Sequence, residues 1–137
     1  MELKKIVPAI VVGYVLLLAL GYLIHSIWLR PVYEQYASVW RPHEVFLQKR
    51  WVMWFGQLIF TVLFAWVYTC GVEKKPWVGQ GIRYGIIMTL LTVVPPVCTE
   101  YAAFPIAYTL AVKWMVAGAV QLVVLGLVVA VFLKKPA

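Results

Sequence analysis

Seven side chains carry a polar or ionisable group inside, or at the edge of, a long apolar run: Tyr22, His25, Gln57, Thr92, Glu100, Lys113 and Gln121. Such a group is costly in an apolar medium unless it finds a partner, so each is a candidate for hydrogen bonding, ion pairing or ligand contact. Counted from the nearest charge, Tyr22 lies eight residues from Arg30, Gln57 seven from Arg50, Thr92 eight from Glu100 and Gln121 eight from Lys113. At about 1.5 Å per helical residue, all four fall roughly 10–12 Å below one boundary, in a single polar layer. Two readings follow. The layer is interhelical packing, with each hydrogen bond contributing on the order of 0.6 kcal/mol. Or it floors a shallow, outward-facing pocket for a small molecule or lipid headgroup, with His25, His43, Glu100 and Lys113 near the mouth.

Other chemistries lack their residues. His25 and His43 belong to no ligand-spaced motif, and Cys70 and Cys98 are separated by most of a bilayer, too far for a disulfide, so no metal and no cofactor is expected. There is no P-loop, dinucleotide glycine fingerprint or G-x-S-x-G elbow, and an enzyme would need more ionisable groups in the spans than Glu100, Lys113 and His25. The chain is expected not to be an enzyme.

The elements that position these residues follow from composition. Of 137 residues, 64% are hydrophobic and 12% charged, more apolar surface than one small water-soluble core can hide. The charge-free gaps measure 24 residues (Lys5 to Arg30), 22 (Arg50 to Glu73), 16 (Arg83 to Glu100) and 20 (Lys113 to Lys134). About 20 helical residues cross a hydrocarbon core of about 30 Å. Continuous runs exclude barrel strands, which alternate. The sequence therefore predicts an all-α fold: a four-helix transmembrane bundle forming one domain, 1–137, with spans near 6–29, 46–71, 82–101 and 106–133. The first apolar run is too long for a secretory signal core and is read as a retained span.

Each span carries a small or polar stripe at helical spacing: Tyr14, Gly21, Tyr22 and His25; Gln57, Thr61 and Tyr68; Gly85, Thr89 and Thr92; Lys113, Ala117, Gly118 and Gln121. A membrane bundle turns such stripes inward. Between spans one and two, Tyr33, Tyr36, Ala37 and Trp40 predict a short interfacial helix with its aromatic face toward lipid. Tryptophan and tyrosine at the span ends, including Tyr68, Tyr84 and Trp114, read as interfacial belts in preference to an aromatic ligand cage. Pro95 and Pro96 should kink or end span three, since Tyr84 to Val94 is only 11 residues. Glu100 then lies at the outer interface, where Lys113 is its most available basic partner.

Seven basic residues (Lys4, Lys5, Lys74, Lys75, Arg83, Lys134, Lys135) fall on the side of both termini and five (Arg30, Arg41, Lys49, Arg50, Lys113) on the other, which predicts cytoplasmic termini. The net charge of +7 is divided between two membrane faces as flanking pairs, which argues against nucleic acid as a partner.

With "RWVMWFGQ" opening span two, "GQGIRYG" entering span three and a lysine inside "LAVKWM" of span four, the whole chain resembles the small four-span integral membrane proteins of bacteria known as domains of unknown function. The resemblance implies an inner-membrane location and transfers no catalytic residues. The expected partners are the lipid bilayer and either further copies of the chain or a larger membrane complex. A scaffold or accessory subunit of such a complex is the first functional expectation, and a small-molecule or lipid-binding membrane protein is the second.

Overall fold

The computed structural model describes residues 3–136; Met1, Glu2 and Ala137, the ends of the expected domain, lie outside the described residues. All regular structure among those residues is helical. Helix α1 (Leu3–Gly21) runs into a π-helical segment, Tyr22–Trp28, and a short helix α2 (Arg30–Gln35) follows. Helix α3 covers His43–Gly71, α4 Trp77–Thr92, α5 Val94–Ala103 and α6 Tyr108–Leu133. Four stretches are long and apolar enough to cross a membrane: Leu3–Trp28, His43–Gly71, Trp77–Ala103 and Tyr108–Leu133. The chain is a multi-pass membrane protein whose helices overrun most of the charge-bounded gaps. Basic side chains at span ends allow this, because their stems lie along apolar surface while the charge reaches water.

The third span contains the break that its prolines require. Helix α4 stops at Thr92, and Val93 separates it from α5, in whose first turn Pro95 and Pro96 sit. Backbone N–H groups of a first turn have no intrahelical acceptor, so proline loses nothing there. At about 1.5 Å per residue, the 16 residues of α4 rise roughly 24 Å, and α5 completes the crossing.

Helix α6 is the most deeply buried span and lies at the centre of the bundle. Against it α4 packs antiparallel and backbone to backbone. A Cβ on Gly81 would sit 2.8 Å from the Gly126 carbonyl oxygen, and one on Gly85 would sit 2.5 Å from that of Leu122. Only glycine permits this approach. On another side, a Cβ on Gly13 of α1 would meet Leu125 at 2.7 Å and Thr61 of α3 at 3.4 Å. At the end shared by the two termini, Ile6, Tyr68, Val72 and Leu133 join one core with Phe64, and Lys135 donates to the Val72 carbonyl at 2.8 Å. The outward faces of all four spans (Val11, Phe55, Ile87, Val116 among them) remain apolar and exposed, as lipid contact requires.

Several expectations are corrected by this packing. Tyr68 and Tyr84 do not form a belt: Tyr68 is buried, and Tyr84 donates across the bundle to the Phe64 carbonyl at 2.6 Å with its ring 4.5 Å from that of Phe64. The threonines are not interhelical glue. Thr61, Thr89 and Thr92 each donate to the carbonyl four residues back in their own helix, a common bond for a threonine hydroxyl inside a helix.

Candidate functional site

At the end opposite the termini the helices separate and leave a cleft of about 600 Å³. Its walls come from every span. The π-helical segment contributes His25, α3 contributes Gln57, and α6 contributes Trp114, Ala117, Gly118 and Gln121. Helices α4 and α5 with their junction contribute Thr92, Val93, Pro96, Val97 and Glu100, and Tyr33, Trp40 and Phe104 cover the mouth.

Local sequence accounts for the opening. The π-helical turns from Tyr22 to Trp28 are wider than α turns, with the Leu29 amide bonding back five residues to Ile24 at 2.8 Å. Opposite, the interruption at Val93 lets α5 take its own direction. On α6 the glycine contact here is with a side chain, a Cβ on Gly118 meeting Val93 at 2.6 Å, and Trp114 lines the opening one turn away.

The segment after the first span packs inward, which overturns its expected lipid-facing aromatic stripe. Leu29, Ile106 and Leu110 form a second core against which Tyr33, Tyr36, Trp40 and Trp114 pack. The Tyr36 hydroxyl accepts the Ala107 amide at 3.1 Å, and so fastens this segment to the start of α6. A short helix is present as read from the sequence, but it ends at Gln35, so Tyr36, Ala37 and Trp40 follow it in turns. The rings turn inward because Leu29 and Ile106 offer a protein surface that hides them more completely than an interface does.

Tyr33 is the polar hub of the mouth. Trp114 Nε1 donates to its oxygen at 2.8 Å, and His25 Nδ1 lies 2.6 Å from the same oxygen. The assignment that satisfies all three groups has Tyr33 donating its proton to His25 Nδ1, which places the neutral imidazole proton on Nε2. Burial raises the Tyr33 pKa; the Trp114 bond opposes the shift and the charge of Glu100 adds to it, so the phenol keeps its proton and remains a donor at neutral pH.

Five of the seven residues singled out from sequence line this cleft: His25, Gln57, Thr92, Glu100 and Gln121. Tyr22 and Lys113 do not. Gly21 takes the inward position of α1, where an added Cβ would come within 3.8 Å of the Gln121 amide, and Tyr22, about a quarter turn further on, is exposed. On α6 the spacings 113–117–121 and 114–117–118–121 both describe a helix face, and the inward one begins with Trp114. Lys113 is therefore turned aside, and no Glu100–Lys113 ion pair forms among the described residues. The carboxylate is left facing the cleft without a basic partner.

Two further groups at the cleft are left without a partner. The Gln57 side-chain oxygen and the Trp40 indole N–H are buried and make no hydrogen bond. A buried acceptor and a buried donor without partners are costly, of order 1–3 kcal/mol each. Among the described residues no three His, Cys, Asp or Glu side chains are grouped to hold a metal ion. Cys70 and Cys98 are both free and exposed.

The aromatic residues at the mouth, Tyr33, Trp40, Phe104 and Trp114, were not singled out as site residues from sequence. Their signal was present as a cluster at the loop end of the bundle, and belt residues give the same signal. No protein-family model, no curated protein and no solved structure matches the chain.

Proposed function

We propose that this chain is a ligand-binding membrane protein of the bacterial inner membrane, with cytoplasmic termini and a cleft open toward the outside that takes a small molecule or a lipid headgroup. The observation that carries this reading is the unmatched Gln57 oxygen and Trp40 N–H at a cleft of about 600 Å³ walled by all four spans. That volume falls within the range of about 300–1,000 Å³ of small-molecule sites, and mostly apolar walls with a few convergent polar groups are their usual character. Packing glue would need its polar groups to bond one another across helices. Here Thr92 bonds within its own helix and Gln57 leaves its oxygen free.

The orientation rests on the excess of lysine and arginine at the terminal end. A reporter fused after Ala137 is expected to be cytoplasmic and one inserted at Ser38 external; the reverse at both sites overturns the orientation. Native mass spectrometry of protein released gently from its own membranes tests the binding function. A retained small molecule or lipid, reduced by Gln57→Leu, is the expected result. An unliganded chain overturns the reading. A stoichiometric protein subunit with no small ligand replaces it with the scaffold or accessory-subunit role.

A further inference from the structure

Resting on the binding function proposed above, the geometry points to an organic ammonium ion as the ligand: Glu100 serves as its counter-ion, and the rings of Trp40, Phe104 and Trp114 enclose its alkylated nitrogen.

Three observations converge. First, Glu100 is the cleft's only acidic residue, and no lysine or arginine lines it. The carboxylate makes no hydrogen bond or ion pair with any described residue, and its charge is felt by the Tyr33 phenol. The imidazole that lines the cleft, His25, is held by Tyr33 through Nδ1. A carboxylate at the edge of a span without a cation beside it is costly, and a ligand cation relieves that cost.

Second, the walls beside it are aromatic. The ring of Trp40 lies 6.3 Å from that of Phe104 and 6.2 Å from that of Trp114, both edge to face. All three rings line the cleft, and rings set at such angles turn their faces in different directions. A ring face attracts a cation within about 6 Å, and several such faces around one nitrogen form the usual receptor for alkylated ammonium groups.

Third, Gln57 and Trp40 line the same cleft, and their side-chain oxygen and indole N–H are buried without partners, so a ligand that draws them toward it, with a donor for the first and an oxygen for the second, satisfies both. An amino alcohol or its ether meets both. Anions are disfavoured by Glu100, and a purely apolar ligand leaves Gln57 and Trp40 unsatisfied.

The test compares choline with 3,3-dimethylbutan-1-ol, its uncharged isostere, on the full chain in dodecyl maltoside, an uncharged detergent, by tryptophan fluorescence and titration calorimetry. Choline is expected to bind saturably and the alcohol at least tenfold more weakly. Glu100→Gln is expected to weaken choline at least tenfold and leave the alcohol unchanged. Glu34→Gln, which removes a carboxylate at the same end outside the cleft, is expected to leave choline binding as it was. Equal binding of the two probes by the unmodified protein overturns the ammonium assignment and leaves the binding function standing; this comparison needs no variant to fold. Binding of neither probe also overturns the assignment, and the native mass spectrum then decides the binding function separately. Displacement of choline by phosphatidylethanolamine but not phosphatidylglycerol identifies the ammonium as a lipid headgroup. No displacement by either identifies a free ammonium compound.

Discussion

The two ends of the α4–α6 contact differ more than any other two regions of the molecule. Toward the termini, Gly81 and Gly85 meet Gly126 and Leu122 so closely that no Cβ fits between the backbones. About two to three turns further along the same pair of helices, α4 is interrupted at Val93, α6 presents Trp114, and a cleft of about 600 Å³ opens. The difference teaches what holds such a bundle together. Lipid tails are as apolar as leucine, so helices associate through close packing, which small residues allow and large ones prevent. Space for a ligand then opens where backbone-to-backbone contact gives way to side chains, Val93 on Gly118 and Trp114 beside them, and where the regular turns are interrupted.

The largest expected effect comes from placing a side chain in the close contact. Gly85→Ala puts a methyl group against the Leu122 carbonyl and the Val123 backbone, neither of which can yield as a flexible side chain would. A loss of about 1–3 kcal/mol is expected, the range for overpacking a tight core. Gly56→Ala, where an added Cβ meets nothing within 4 Å, should be neutral or stabilise α3 by up to about 1 kcal/mol through helix propensity. Thermal unfolding in detergent, followed by circular dichroism, checks both. Equal shifts for the two variants would break the comparison on its closed side.

Next in size is the hub at the open end. Tyr33→Phe strands Trp114 Nε1 without an acceptor and His25 Nδ1 without a donor. About 1–2 kcal/mol of stability should be lost, since unmatched buried groups cost more than a single hydrogen bond contributes. A red-shifted or broadened tryptophan emission would report a loosened mouth, because Trp40 and Trp114 both pack on this ring. Unchanged stability and emission would mean the hub does not hold the cleft's covering residues in place.

The closed end was more legible in the sequence than the open one. Charges bracketing uncharged runs announced four spans, and Gly85 with Thr89 marked the face that α4 buries. Pro95 and Pro96 announced the interruption, because proline's missing N–H has few places to go. Gln57, Thr92 and Gln121 were readable as one group since residue counts convert directly to depth in a straight helix. The same arithmetic failed for Tyr22, because adjacent residues face about 100° apart and Gly21 is the one that faces inward. It could not choose between Lys113 and Trp114, which satisfy helical spacing equally. The inward turn of Tyr33, Tyr36 and Trp40 depends on contacts with Leu29, Ile106 and Trp114, partners up to 81 residues away that local pattern does not contain.

An opposite sign is expected at Gln57. Its oxygen is buried without a partner, so Gln57→Leu should stabilise ligand-free protein by about 1 kcal/mol while reducing ligand retention. Destabilisation of the ligand-free protein would show that the oxygen is already satisfied, and the open region would then be packed like the closed one.

The smallest expected effect belongs to the terminal end, in the turn joining α3 to α4. Two devices meet there. Gln80 is buried and clasps the turn, its Oε1 accepting the Glu73 amide at 2.8 Å and its Nε2 donating to the Glu73 and Lys75 carbonyls at 3.0 and 2.9 Å. Glu73 and Lys75 also pair through their side chains, but both are solvated. Hydrogen bonding and charge from Lys75 hold the Glu73 pKa below its ordinary 4.5. A lowered carboxylate pKa adds stability that is present above the unfolded-state value and disappears as pH falls through the folded one. The contribution of Glu73 should therefore fade from about pH 4.5 downward, and solvent screening keeps it small. Gln80→Leu leaves the Glu73 amide and two carbonyls to water and should lower the melting temperature at every pH. Glu73→Gln should lower it only slightly at pH 7 and not at all near pH 3. Melting curves of the two variants against the unmodified chain, at both pH values, separate them. A Glu73→Gln shift as large as that of Gln80→Leu at pH 7 would place the turn's stability in the exposed pair instead of the buried amide.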